Sequence, residues 1–193
     1  MRVRSLVDQG ARARLSGASL FVLGGVLYGV QCLYHWGQLH GVSLPEPWNL
    51  IFVAGITVVF LIGLSVISWR DRNRPSGGVV GRALAGIFAG AGLANLAMVF
   101  VFALNAAREH SAFVWMLYPP VIFALQGACW IAVWQVQKRG WHALVGFGWL
   151  LTAAAMGWFV RNTEAYVLIA AAALFVLMAL PGWVLMRQAR TEA

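Results

Sequence analysis

Four histidines are the side chains of this sequence best suited to ligating a metal or a haem: His35, His40, His110 and His142. Imidazole binds zinc and haem iron, and a single b-type haem needs two imidazoles facing each other at one depth. His35 and His110 meet that need if they lie at the same ends of two helices, whereas His35 and His40 are five residues apart and do not share a helical face. His35 and His110 are therefore a candidate haem-binding pair, and the alternative is that they are interfacial histidines without a ligand.

Amide side chains inside long apolar segments form the second candidate group: Gln31, Asn95 and Gln126. In hydrocarbon an amide must find a hydrogen-bond partner, so these side chains are expected to face other helices. They either bond between helices or line a pocket for a small ligand. Both interpretations stay open at this point, and all three residues are candidate ligand-binding residues.

Ionisable residues are placed in a way that excludes several classes of membrane protein. All acidic residues lie in the connections or tails, and no Lys or Arg lies in the middle of an apolar segment. Proton-coupled pumps and voltage sensors need ionisable groups at membrane depth, so both are disfavoured. The sequence also contains neither a glycine-framed nucleophilic serine nor a phosphate-binding loop, which argues against an enzyme.

The clearest structural element is the segment from Trp48 to Trp69, which has 22 consecutive uncharged residues and a tryptophan at each end. At about 1.5 Å per residue, a helix of this length crosses the hydrocarbon layer of about 30 Å. It lacks the polar face that a helix at the surface of a soluble protein would show. An arginine cluster, Arg70-Asp71-Arg72-Asn73-Arg74, follows it directly.

Composition extends this interpretation to the whole chain. Of the 193 residues 61% are hydrophobic and only 10% are charged, against about a quarter charged in ordinary soluble domains. The sequence predicts an all-α polytopic membrane protein, a bundle of six transmembrane helices in a single domain over residues 1–193. The predicted spans are residues 16–36, 48–69, 83–107, 113–134, 141–160 and 166–186.

Basic residues predict the orientation of these spans. Twelve of the 14 Lys and Arg residues lie in segments that the map places inside, and only Arg108 and Arg161 lie outside. The positive-inside rule then predicts that both termini are cytoplasmic, in a membrane of the bacterial inner-membrane type. The net charge of +8 does not indicate nucleic-acid binding, because the arginines lie in short stretches between apolar runs.

Small residues and prolines predict how the helices pack. Gly25-x-x-x-Gly29 and Gly86-x-x-x-Gly90 have the spacing that lets helices approach closely, either inside the bundle or in a dimer. The third span is so rich in small residues that we expect neighbouring helices to fill its surface and to make it central. Pro119-Pro120 either begins a helix or lies inside one, and Pro181-Gly182 is expected to kink or end the last helix.

Three functional hypotheses follow from these features. The first is a non-enzymatic membrane protein that binds or passes a small uncharged molecule, or packs against another membrane subunit or a second copy. The second is a redox protein that holds one haem or metal at the outer face through His35 and His110. The third is a regulatory anchor whose basic inner connections contact a soluble partner or anionic lipid.

Overall fold

The computed structural model describes residues 2–72 and 78–191, and in these ranges the chain forms helices and no strand. The all-α prediction is therefore confirmed. The elements are α1 (Arg2–Leu39), α2 (Trp48–Asp71), α3 (Gly78–Arg108), α4 (Ala112–Met116), α5 (Tyr118–Gln137), α6 (Gly140–Trp158), α7 (Thr163–Ala173), a π-helical segment (Leu174–Ala179) and α8 (Leu180–Thr191). Residues 73–77 of the predicted inner connection, including Pro75, Ser76 and Gly77, lie outside the described residues.

Among the described residues, five helical stretches are long and apolar enough to cross a membrane, and they overlap five of the six predicted spans. They are Leu15–Leu39, Trp48–Arg70, Val79–Arg108, Ala112–Gln137 and Thr163–Thr191. The remaining predicted span is also helical, as α6, whose 19 residues give a length of about 28 Å.

The diproline begins a helix. Helix α5 starts at Tyr118 with proline at its first positions, and the short helix α4 precedes it. Proline is favoured there because its fixed φ suits a helix and its missing N–H is not needed in the first turn. The hydroxyl of Tyr166 donates a hydrogen bond to the carbonyl of Met116 at 2.6 Å, which holds the end of α4. The predicted fourth span is thus two helices.

The chain divides into two compact units. Unit 1 comprises the described residues of Met1–Gly78 and Ala170–Ala193, and unit 2 comprises Val79–Ile169. In unit 1, α1 packs tightly on the π-helical segment and α8. A Cβ atom added at Gly25 would lie 2.5 Å from the backbone nitrogen of Ala179, and one added at Gly29 would lie 2.8 Å from the ring of Phe175. Gly25-x-x-x-Gly29 therefore serves packing within unit 1.

The last apolar helix changes its hydrogen-bonding pattern just before Pro181. The N–H of Leu180 bonds to the carbonyl of Phe175, five residues earlier, which is the π-helical pattern. A regular α-helix would press the proline ring against the carbonyl four residues before it, and the wider turn accommodates the ring. The helix then continues to Thr191, so the alternative in which Pro181-Gly182 ends the helix is wrong.

Unit 2 is built on the pairing of α5 with α6. A Cβ atom added at Gly127 would lie 3.0 Å from the carbonyl oxygen of Gly146, so the two backbones nearly touch. Helix α3 behaves differently, because a Cβ atom added at Gly86, Gly90 or Gly92 would meet nothing within 4 Å. Its most apolar stretch contains no buried residue. No described residue therefore fills this glycine surface, and the central position of α3 stays a prediction.

Candidate functional site

A network of polar side chains joins α1 to α2 at the end of unit 1 that the sequence analysis places outside. The side-chain oxygen of Asn49 accepts hydrogen bonds from the hydroxyl of Tyr34 at 3.0 Å and from the amide nitrogen of Gln38 at 2.9 Å. The amide nitrogen of Asn49 donates to Glu46 Oε1 at 2.9 Å, and the Tyr34 hydroxyl accepts from the backbone N–H of Leu44 at 3.1 Å. The connection between the helices is thus hydrogen-bonded to a side chain of α1, at Tyr34, and to a side chain of α2, at Asn49.

The direction of this network fixes the proton on His35. An ionised Glu46 can only accept, so Asn49 must present its amide nitrogen to Glu46 and its oxygen to Gln38. Gln38 then presents its own oxygen to His35 Nδ1, at 2.8 Å. A carbonyl oxygen has no proton to give, so Nδ1 carries the N–H. In the neutral ring, Nε2 is therefore the nitrogen with the free lone pair.

Gln31 lies one helical turn from His35 on the same face of α1, because residues four apart are neighbours on a helix surface. Its side-chain oxygen is buried and receives no hydrogen bond from any described residue. Aromatic contacts lie along the same helix on either side of it: Tyr28 meets Phe60 with ring centroids 5.3 Å apart, and Tyr34 meets Phe52 at 4.6 Å. A buried acceptor without a donor is an unusual arrangement, because buried polar groups are normally paired.

The other two amides have different surroundings. Asn95 accepts a hydrogen bond from the hydroxyl of Tyr118 at 2.7 Å, which joins α3 to α5 within unit 2. That bond pairs the side-chain oxygen of Asn95 between two helices, and a role of Asn95 in ligand binding stays a prediction. Gln126, on α5, has a buried oxygen that receives no hydrogen bond from any described residue. Gln31 and His35 are thus the two candidate residues that the fold brings onto one face.

The predicted haem pair is divided between the units. His35 belongs to unit 1, and His110 belongs to unit 2, where it follows α3 with a left-handed φ of 46°. Their pairing stays a prediction. The described residues contain no group of three or more His, Cys, Asp or Glu side chains that could hold a metal ion.

Sequence reasoning missed the burial of His142 and the partners of His35. The side chain of His142 is 1% exposed, and its ring centroid lies 3.9 Å from that of Trp141 and 5.6 Å from that of Trp130. The sequence spacing indicates this burial, because His142 lies three residues before Val145 and seven before Trp149, on the buried face of α6. Gln38 likewise continues the Gln31 and His35 face at spacings of seven and three.

Comparison with known proteins leaves the site to be interpreted from its own geometry. No protein-family model matches the chain, and no curated protein or solved structure matches it either. The features that remain are a buried amide oxygen, an imidazole of fixed tautomer one turn away, and a hydrogen-bond network that holds that imidazole.

Proposed function

We propose that this chain is a non-enzymatic integral membrane protein that binds a small uncharged molecule at Gln31 and His35 in unit 1. The observation that carries the proposal is the buried Gln31 oxygen, which has no donor among the described residues. Leaving such a group unpaired costs about 1–3 kcal/mol, and a bound ligand with a donor would remove that cost. The network from Glu46 to His35 supports the same interpretation, because it holds a second polar group beside Gln31.

In this proposal six helices cross a membrane of the bacterial inner-membrane type, and α6 is the span that completes the set. Both termini are cytoplasmic. Large apolar side chains are exposed along α2 and α3, as expected of surfaces that face lipid, another membrane subunit or a second copy. The arginines at two of the proposed inner ends lie over tryptophan rings, Arg72 over Trp69 at 5.1 Å and Arg187 over Trp183 at 3.8 Å. Such pairs suit the boundary between hydrocarbon and water.

Single-cysteine labelling tests the proposed topology. In a background with Cys32→Ala and Cys129→Ala, we expect a membrane-impermeant maleimide to label Ser43→Cys and Thr163→Cys in intact spheroplasts. Ser76→Cys and Lys138→Cys should react only after the membrane is opened, because the positive-inside rule places the basic connections in the cytoplasm. Labelling of Lys138→Cys and Thr163→Cys from the same side would show that α6 does not cross, and labelling of Ser43→Cys and Ser76→Cys from one side would overturn the whole map.

Extraction of the purified protein tests the binding proposal. We expect solvent extracts of the wild-type chain to contain a small molecule in stoichiometric amount, identified by mass spectrometry, and Gln31→Leu to lose it. Gln126→Leu is the matched control, because it removes the same unpartnered amide from unit 2 and should leave the amount unchanged. An extract without such a molecule, or one unchanged by Gln31→Leu, would contradict the proposal.

The second candidate function is haem binding through His35 and His110. It is favoured by the proton on His35 Nδ1, because a metal-ligating histidine donates its other ring N–H to a neighbouring acceptor, as His35 does to Gln38. The same extracts distinguish the two functions. Haem that is lost in both His35→Ala and His110→Ala would replace small-molecule binding as the function of the outer site.

A further inference from the structure

We infer that the ligand of this site is a neutral, membrane-soluble molecule that carries a hydroxyl donor, of the alcohol or phenol type, on an apolar body. The inference rests on the proposed function and adds the chemical class of the ligand. Three features of unit 1 support it: the hydrogen-bonding character of the two polar groups, the absence of a basic residue in the surrounding sequence, and the aromatic side chains along α1 and α2.

The two polar groups both present acceptors. The Gln31 atom that has no partner is the amide oxygen, which only accepts. His35 gives its Nδ1 proton to Gln38, so its Nε2 accepts as well. A ligand whose head group is an ether or a ketone would leave the buried Gln31 oxygen unpaired, whereas a hydroxyl supplies the missing donor. A site built in this way distinguishes an alcohol from its ether more strongly than an apolar pocket distinguishes two hydrocarbons.

Charge favours a neutral head group over an ionic one. Between Arg14 and Arg70 the sequence contains no Lys or Arg, so an anion would have no opposite charge in this part of unit 1. The single acidic residue of that stretch, Glu46, already accepts the Asn49 amide. A cation would lose its hydration in return for two neutral acceptors, which does not compensate for burying a charge.

The apolar body is inferred from the position of Gln31 on the helix. Gln31 lies eight positions before the end of α1 at Leu39, which is about 12 Å along the helix axis. The neighbouring contacts between α1 and α2 are aromatic, Tyr28 with Phe60 and Tyr34 with Phe52. A head group at this depth needs an apolar remainder that stays in the hydrocarbon layer, so the ligand reaches the site from the lipid.

Glu46, Asn49 and Gln38 act as positioning residues in this proposal. They do not meet the ligand, but they hold the proton of His35 on Nδ1 and so keep Nε2 free to accept. Asn49→Leu removes the centre of the network. We expect it to mix the two tautomers of His35, which the nitrogen-15 chemical shifts of the ring report directly, without reference to binding.

The test compares 4-decylphenol with its methyl ether, 4-decylanisole, on the full-length protein in detergent micelles. The two probes share their apolar body and differ in the donor. We expect the phenol to bind about tenfold more tightly, in line with about 1–3 kcal/mol for a buried polar atom left unpaired. Gln31→Leu should abolish the preference for the phenol, and Gln126→Leu should retain it.

Each outcome of this comparison bears on a separate claim. Equal binding of the two probes to the wild-type protein would overturn the hydroxyl class, while the extraction experiment would still decide whether the site binds a molecule at all. A preference that persists in Gln31→Leu would place phenol binding elsewhere and would also overturn the inference. Gln31→Leu is expected to fold, because it removes an unpaired buried oxygen, and thermal unfolding of both variants checks this.

Discussion

Replacing Gly25 with leucine is expected to prevent unit 1 from folding. Even the Cβ atom of a new side chain would lie 2.5 Å from the backbone nitrogen of Ala179 and 2.8 Å from the carbonyl oxygen of Leu174. Both are backbone atoms of the π-helical turn, so they cannot rotate away as a flexible side chain would. Overpacking usually costs about 1–3 kcal/mol, and a clash with backbone belongs at or above the top of that range.

The matched control is the same substitution at Gly86, in the other Gly-x-x-x-Gly pair. A Cβ atom there would meet nothing within 4 Å, so Gly86→Leu should lower the unfolding free energy by no more than about 0.5 kcal/mol. Chemical unfolding in micelles, followed by circular dichroism, measures both variants. Normal stability of Gly25→Leu would contradict the close packing of α1 on the last helix. Strong destabilisation by Gly86→Leu would show that another subunit or a second copy covers α3.

These two glycine pairs show how far sequence can predict packing. Their spacing is identical and predicts a close helix approach in both, yet only the pair in α1 is filled within its unit. The filling depends on the partner surface, here the π-helical turn at Leu174–Ala179, and that turn is not visible in the periodicity of the sequence. Helix positions were predicted better, because uncharged length and flanking charge are local properties of the chain.

In the candidate site, too, the sequence predicted the residues but not the contacts between helices. Gln31 and His35 were found from sequence because an amide or an imidazole in an apolar run is conspicuous in composition. Their relation to Asn49 and Glu46 was not found, since it depends on how the connection of residues 40–47 sets α2 against α1. Asn95 was found as a polar residue, but only the structure pairs it with Tyr118. Residue type predicts which polar side chains are candidates for a site, whereas the register between helices decides which of them find a hydrogen-bond partner.

Replacing Trp149 with alanine is expected to be the most damaging truncation in unit 2. Its side chain is 1% exposed and meets the ring of Phe123 edge to face, with centroids 4.7 Å apart. The close approach of Gly127 to Gly146 already brings the backbones of α5 and α6 together, so the two helices have little room to close on the vacated volume. Removing a buried tryptophan costs about 3–5 kcal/mol, through lost burial and the cavity that remains.

Trp158→Ala provides the control on the same helix, because Trp158 is 84% exposed at the end of α6. It changes the same residue type and the same volume without opening a cavity, so a loss within about 0.5 kcal/mol is expected. Unfolding of both variants in micelles of one detergent gives the comparison. If the two substitutions cost the same, the burial of Trp149 would add nothing to the stability of unit 2, which would contradict the prediction. A large difference would show that buried packing around Trp149, which includes its contact with Phe123, stabilises unit 2, because removing its indole leaves a cavity and removing that of Trp158 does not.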